Sequence, residues 1–163
     1  EAGKAMTVVQ KVPRKVLHLI HLPPQIAYAI GLGLLIGRIV LLLTTTGRKS
    51  GRERVTPLQY EEIDGCFYVA AAFGERTDWY RNILVNPRVK IRVKSRRFAG
   101  QAQTVTDVEK IADFLAYRLS KHPRMVGMMM RSGGVSMPPQ RNDLLEYARR
   151  IALVKIDVVN ELA

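Results

Sequence analysis

The clearest alternation in this chain runs from Arg88 to Lys94, where Arg88, Lys90, Arg92 and Lys94 interleave with Val89, Ile91 and Val93. A period of two puts the two sets on opposite faces of a strand, one basic and one apolar. The pattern predicts a strand over 88–97 and another over 98–105. Val154, Ile156 and Val158 alternate with Lys155 and Asp157 in the same way and predict a strand over 151–159. Residues 38–46 and 52–62 read as a hairpin, and the Asp64-Gly65 turn leads into a strand over 66–73. Helical spacing appears between these runs. Val12, Val16, Leu19 and Ile20 mark a basic amphipathic helix over 11–22, stopped by Pro23-Pro24. A short buried helix is expected over 26–36, and another helix over 77–85 before Asn86-Pro87. Thr106-Asp107-Val108-Glu109 reads as a capping box, opening a helix to about Lys121 that buries Ile111, Phe114, Leu115 and Leu119. Helices over 124–132 and 142–149 follow. The early strands are joined by hairpins rather than helical crossovers. The expected fold is therefore α+β, mainly β: a small antiparallel barrel with helical decoration, not a doubly wound sheet.

Composition narrows this only a little. The length of 163 residues suits one domain, with residues 1–25 as an N-terminal element that acts as a lid or faces a membrane. The run 26–43 is apolar, but Gly31, Gly33, Gly37 and Arg38 interrupt it, which argues against a membrane span. The single cysteine, Cys66, excludes an internal disulfide and fits a cytoplasmic setting; it is expected to pack as a small apolar residue. His18, His21 and His122 lack metal-ligand spacing, so no metal is expected. The formal net charge of +12 changes the picture more. It points to an anionic partner: nucleic acid, an acidic membrane surface, or a small ligand with several negative charges.

The segment Thr44–Leu58 favours the small ligand. It sets Arg48, Lys49 and Ser50 between Gly47 and Gly51, with Arg52 and Arg54 behind them. Glycines at both ends permit a tight turn and close approach of a ligand to the backbone. Cations, a hydroxyl and backbone N–H groups then converge on one loop suited to phosphate or carboxylate. This is not a Walker loop, because the spacing differs and a strand follows. Three further features bear on chemistry. Ala70-Ala71-Ala72-Phe73-Gly74 ends a strand with small side chains, leaving room for a flat ring or for tight helix packing. Trp79 with Ile83 and Asn82 with Asn86 fall on related helix faces; Trp79 reads as core, and Asn82 and Asn86 either cap the helix and tie down the loop or contact a ligand. Met125, Met128, Met129 and Met130 fill core or line an adaptable apolar pocket.

Two motifs carry a family resemblance. Leu43-Thr44-Thr45-Thr46-Gly47-Arg48-Lys49-Ser50-Gly51, followed by Arg54 and Pro57-Leu58, is the first. Trp79-Tyr80-Arg81-Asn82-Ile83-Leu84-Val85-Asn86-Pro87 is the second. In this order and spacing they resemble the deazaflavin (coenzyme F-420)-dependent nitroreductase family of the split β-barrel flavin-binding superfamily. The resemblance covers roughly 38–105. It implies a split barrel like the flavin reductases and pyridoxamine-phosphate oxidases, binding reduced 8-hydroxy-5-deazaflavin with its phosphate and oligoglutamate tail. By the resemblance, Arg48, Lys49 and Ser50 hold the phosphate and tail. Arg54, Val55, Thr56 and Pro57 line the ring and ribityl region, Ala71, Ala72 and Gly74 face the ring, and Trp79 and Asn82 close one side. The basic face from Arg88 to Lys94 would extend the anion track.

The implied reaction is hydride transfer to an electrophilic acceptor such as a quinone, enone or nitro compound; the coenzyme supplies the chemistry and the protein supplies orientation. Some relatives carry a hydroxyl side chain where this chain has Ala72. Tyr60, Tyr80, Tyr117 and Tyr147 are the candidate proton donors. The basic N-terminus would suit a quinone held at the cytoplasmic face of a membrane. The competing readings are a split barrel for FMN, FAD or haem, a non-catalytic coenzyme carrier, and a nucleic-acid module, which the scarcity of aromatics disfavours. A monomer or small homo-oligomer is expected.

Overall fold

The computed structural model describes residues 40–71 and 73–163. The two N-terminal helices expected over 11–22 and 26–36, and Ala72, lie outside the described residues. Six strands form a closed barrel: β1 (Val40–Thr46), β2 (Glu53–Ile63), β3 (Cys66–Ala71), β4 (Arg88–Val93), β5 (Arg96–Val105) and β6 (Ala152–Leu162). Their order around the barrel is β1-β2-β3-β6-β5-β4, every neighbouring pair is antiparallel, and β4 returns to β1. Between β3 and β4 lie a 3-10 turn (Gly74–Arg76) and helix α1 (Asp78–Val85). Helices α2 (Val108–Lys121), α3 (Pro123–Ser132) and α4 (Arg141–Ala148) separate β5 from β6. The expected mainly β, split-barrel architecture is therefore present.

Two-residue turns set the hairpins. Asp64 and Gly65 take φ of 51° and 75° between Ile63 and its partner Cys66, the left-handed pair that matches strand twist. Lys94-Ser95 makes the other two-residue connection, between Val93 and Arg96, with Lys94 alone of the two at positive φ, 55°. This corrects the expected strand over 88–97. The basic run continues past Val93, but the backbone reverses there, because pairing Val93 with Arg96 leaves only two residues for the connection. β6 also runs three residues further than its alternation suggests, since Arg97–Ala99 of β5 still offer hydrogen-bond partners to Asn160–Leu162.

Strand alternation divides the interior in two. Leu41, Leu43, Phe67, Val69, Val89, Ile91, Phe98, Val154 and Ile156 point into the barrel, and Trp79, Tyr80 and Ile83 of α1 close one end. On the outer face of β3, Tyr68 and Ala70 meet a second core built by Ile111, Phe114, Leu115, Val126, Met130, Leu144 and Tyr147. Helix α2 departs from expectation in two ways. Its N-cap is Asp107, not Thr106: the carboxylate accepts from Glu109 N at 3.0 Å and Lys110 N at 3.4 Å. Leu119 is half-buried, and Arg118 takes the buried position instead. Arg118 lies seven residues after Ile111, on the stripe that helical periodicity assigns to the core.

Cys66 is also not an apolar filler. Its thiol donates to Asp157 Oδ1 at 3.1 Å, and that hydrogen bond, with partial burial, raises its pKa.

Candidate functional site

The loop between β1 and β2 is closed by two short backbone hydrogen bonds, Gly47 N to Arg52 O and Gly51 N to Gly47 O, both 2.8 Å. Gly51 sits at φ 67°, a conformation other residues adopt only under strain. Arg48 is turned inward. Its guanidinium donates to Asp78 Oδ1 at 2.8 Å and to Asn82 Oδ1 at 3.2 Å, and its backbone N–H reaches the same Asn82 oxygen at 3.1 Å. Asn82 is 4% exposed and donates to Thr45 Oγ1 at 3.1 Å, so one buried amide ties β1, the loop and α1 together. Thr45 is presented to it because 41, 43 and 45 share the inward face of β1. Beside Arg48, the Asp78 carboxyl is held below its ordinary pKa, first by the hydrogen bond and then by the guanidinium charge.

This arrangement fixes the loop and leaves its other cations uncommitted. Lys49, Arg52 and Arg54 are exposed and enter no salt bridge among the described residues. The N–H groups of Lys49 and Ser50 likewise take no hydrogen bond among them. Gly47, Arg48, Lys49, Ser50, Arg54, Val55, Thr56, Asp78, Trp79 and Asn82 line a single open groove of about 530 Å³. Eight of the expected site residues are thus brought together. Asp78 and Thr45 were missed by sequence reasoning. An acid opening the helix of the second motif was the available signal for Asp78. Thr45 is legible only from the packing of β1 under α1.

Other expected residues fall elsewhere. Pro57 lines an adjoining cavity further along β2. Ala71 is buried in the barrel core, and Gly74 is buried where a Cβ would meet the Arg150 carbonyl oxygen at 2.9 Å. Neither lines the groove. Of the basic Arg88–Lys94 face, Arg88 and Lys90 line a separate cavity bounded mainly by β1, β4 and β5 that shares no residue with the groove. Within it, Lys90 is paired with Glu53 at 2.5 Å.

The tyrosine candidates divide clearly. Tyr80 is 4% exposed inside the core, and its phenol is pushed up in pKa first by burial, then by the Glu75 charge. Tyr60 stacks near Phe67, with ring centroids 5.7 Å apart, and faces a cavity with Glu61, Arg118 and Lys121. Tyr117 accepts a hydrogen bond from Lys121 at 3.3 Å. Tyr147 lines the adjoining cavity with Pro57.

The family model described as F420H(2)-dependent quinone reductase matches residues 27–127. That stretch is well over half of the chain and contains every residue of the groove. The chain belongs to this family. A curated member, an F420H(2)-dependent quinone reductase of Mycobacterium tuberculosis, is 37% identical over 68 residues. The aligned part is 40% of this chain and 46% of that protein, so the chain spans about half the length of the curated relatives it matches. Among solved structures, one described as an F420-H2 dependent reductase superposes with a TM-score of 0.51 at 22% identity, covering 74% of this chain and 95% of that one. A Listeria innocua protein described as a candidate pyridoxamine 5′-phosphate oxidase superposes with a TM-score of 0.53 at 14% identity, covering 79% and 92%. At such identities the superpositions bear on the fold alone, and they agree with the family in placing this barrel among the split barrels.

One prediction follows from the loop anchor. Asn82→Ala removes the acceptor for Arg48 and the partner of the buried Thr45 hydroxyl. It is expected to cost roughly 1–3 kcal/mol, the range for stranding a buried polar group. A thermal melt checks this, and an unchanged midpoint would show that water replaces the amide.

Proposed function

We propose that this chain binds coenzyme F-420 along the groove and directs hydride from its reduced form to a quinone. The observation that carries the reading is the pair of uncommitted cations, Lys49 and Arg54, lining a groove inside the family-matched segment. A coenzyme with a phosphate and an oligoglutamate tail needs such cations. Arg48, spent on Asp78 and Asn82, acts as the loop's anchor with only its outer edge toward the ligand. Lys49, Ser50 and the neighbouring N–H groups hold the anionic tail, and Arg54 adds a fork that a phosphate can accept from in two places. Val55 and Thr56 flank the ring-bearing portion, and Trp79 forms the apolar wall of the groove. Bound there, the coenzyme supplies a hydride, and the protein supplies its orientation. The acceptor is a quinone, the class that the family's description names.

The test is an anaerobic fluorescence titration with coenzyme F-420, with FMN and FAD in parallel, followed by reduction of a soluble quinone. Micromolar or tighter binding of F-420 with weak FMN binding is expected. Tight FMN binding without F-420 binding would keep the barrel and overturn the proposed reductant.

A further inference from the structure

The groove suited to an anion contains an acid of its own. Asp78 alone among its lining residues carries a carboxylate, and one oxygen of it lies 2.8 Å from Arg48 Nη2. A side-chain carboxylate thus already sits on a cation of the groove, in the manner of a ligand's anionic group.

The two partners are not held alike. The Arg48 side chain is 22% exposed, and that of Asp78 is 83% exposed. Arg48 has a second anchor in the buried Asn82, whose Oδ1 accepts from its backbone N–H at 3.1 Å and from Nη1 at 3.2 Å. Asp78 opens helix α1, so its backbone is fixed, but Arg48 is the one group among the described residues that binds its carboxylate. The charges facing that carboxylate are those of Arg48, Arg81 and Lys49. Arg48, by its hydrogen bond and then its charge, holds the carboxyl below its ordinary pKa, so it is ionised at neutral pH.

An exposed ion pair of this kind is worth little, because water solvates the separated groups nearly as well. The carboxylate swings into solvent at small cost. The guanidinium is largely covered, so the exchange is favourable when another anion arrives as the carboxylate leaves. Phosphate and carboxylate both match the edge of a guanidinium. Asn82 keeps the loop in place meanwhile, so a side-chain rotation suffices and the backbone stays as it is.

We infer that Asp78 is an internal competitor for the groove's anion: it occupies Arg48 Nη2 while the groove is empty and yields it to the phosphate or tail of the coenzyme. The inference rests on the coenzyme-binding reading above. The competition makes Asp78 a specificity-determining residue. A small anion that touches Arg48 alone does not displace the carboxylate, whereas a ligand that also engages Lys49 and Arg54 does.

The test is fluorescence titration of the wild type, Asp78→Asn and Glu53→Gln with F-420 and with the deazaflavin that lacks phosphate and tail. Each substitution removes one negative charge with little change of shape. Glu53 is the control: it is exposed, pairs with Lys90 and lies outside the groove. Asp78→Asn is expected to tighten F-420 binding by about 2–6-fold, the gain when a surface pair of this strength stops competing. It should leave the phosphate-free deazaflavin unaffected, and Glu53→Gln should change neither ligand. In the wild type, an NMR titration of the Asp78 carboxyl should show its pKa rising toward the ordinary aspartate value once F-420 fills the groove, because the Arg48 hydrogen bond is lost and an anion lies nearby. Weaker F-420 binding in Asp78→Asn, or an Asp78 pKa that stays low in the complex, overturns the inference and makes the pair a fixed positioning contact. Equal tightening in Glu53→Gln also overturns it, in favour of general electrostatics. A wild type that fails to bind F-420 overturns the coenzyme reading, and this inference with it.

Discussion

Glu61→Leu is expected to lower the thermal midpoint by roughly 6–20 °C, from a loss of about 3–5 kcal/mol at about 2–4 °C per kcal/mol. Glu61 is 3% exposed on the outer face of β2 and gathers three partners from α2 and its end. Arg118 Nε donates to Oε1 at 3.2 Å, Lys121 Nζ lies 3.0 Å from Oε2, and His122 Nε2 lies 3.1 Å from Oε1. Arg118 also donates to Gln59 at 3.2 Å. Removing the carboxylate leaves Arg118, whose side chain is 5% exposed, without its counter-charge. A charge stranded in that way costs several kcal/mol, whereas replacing both partners by apolar residues is far milder. The double variant Glu61→Leu/Arg118→Leu should therefore recover much of the loss. A single-variant loss below ~1 kcal/mol would show that water reaches Arg118 once Glu61 is gone. The Lys121 ammonium, raised in pKa first by its hydrogen bond to Glu61 and then by that to Tyr117, should return toward its ordinary value in the same variant.

Lys49→Ala and Arg54→Ala are each expected to weaken F-420 binding by about 10–150-fold, corresponding to ~1.5–3 kcal/mol for a hydrogen bond to a charged group. Arg52→Ala is the control. Arg52 belongs to the same exposed loop and carries the same charge, but it does not line the groove. A specific grip predicts that Lys49 and Arg54 matter and Arg52 hardly does. Equal losses at all three positions would mean that the loop only raises the local potential, an effect that salt would screen. Fluorescence titration of the three variants at low and moderate salt separates these outcomes.

The two sets of residues differ in how they can be read. Lys49, Ser50 and Arg54 are close in sequence, and the glycines around them announce a turn. Their convergence is a local event, so the motif sufficed to bring them together. The Glu61–Arg118 pair spans 57 positions. Its only trace was a cation seven residues after Ile111 on the apolar stripe of α2, where the neighbouring Leu119 was the more apolar choice for the core. The strand end at Val93 was misjudged for a related reason. Alternation continues through Lys94, and only pairing with the returning strand shows that the chain has turned. The small residues at Ala71 and Gly74 invited a flat ring on composition; in the structure Ala71 packs in the barrel core and Gly74 lies close to the Arg150 carbonyl.

By itself, the sequence determined the alternation that makes six strands, the helices between β5 and β6, the Asp64-Gly65 turn and the cationic loop with its family motif. These all arise from short-range rules of periodicity, turn conformation and charge. Tertiary structure decided which cations the loop keeps for a ligand. Asp78 and Asn82 arrive from another element to occupy Arg48, and the neighbouring Lys49 and Arg54 are left facing the groove. It also set the surroundings of Tyr147, whose buried ring packs against Gly133 and under the Arg150 guanidinium. Partners so distant in sequence are chosen by the closure of the barrel and the packing of helices on its outer face, and no local pattern encodes that choice.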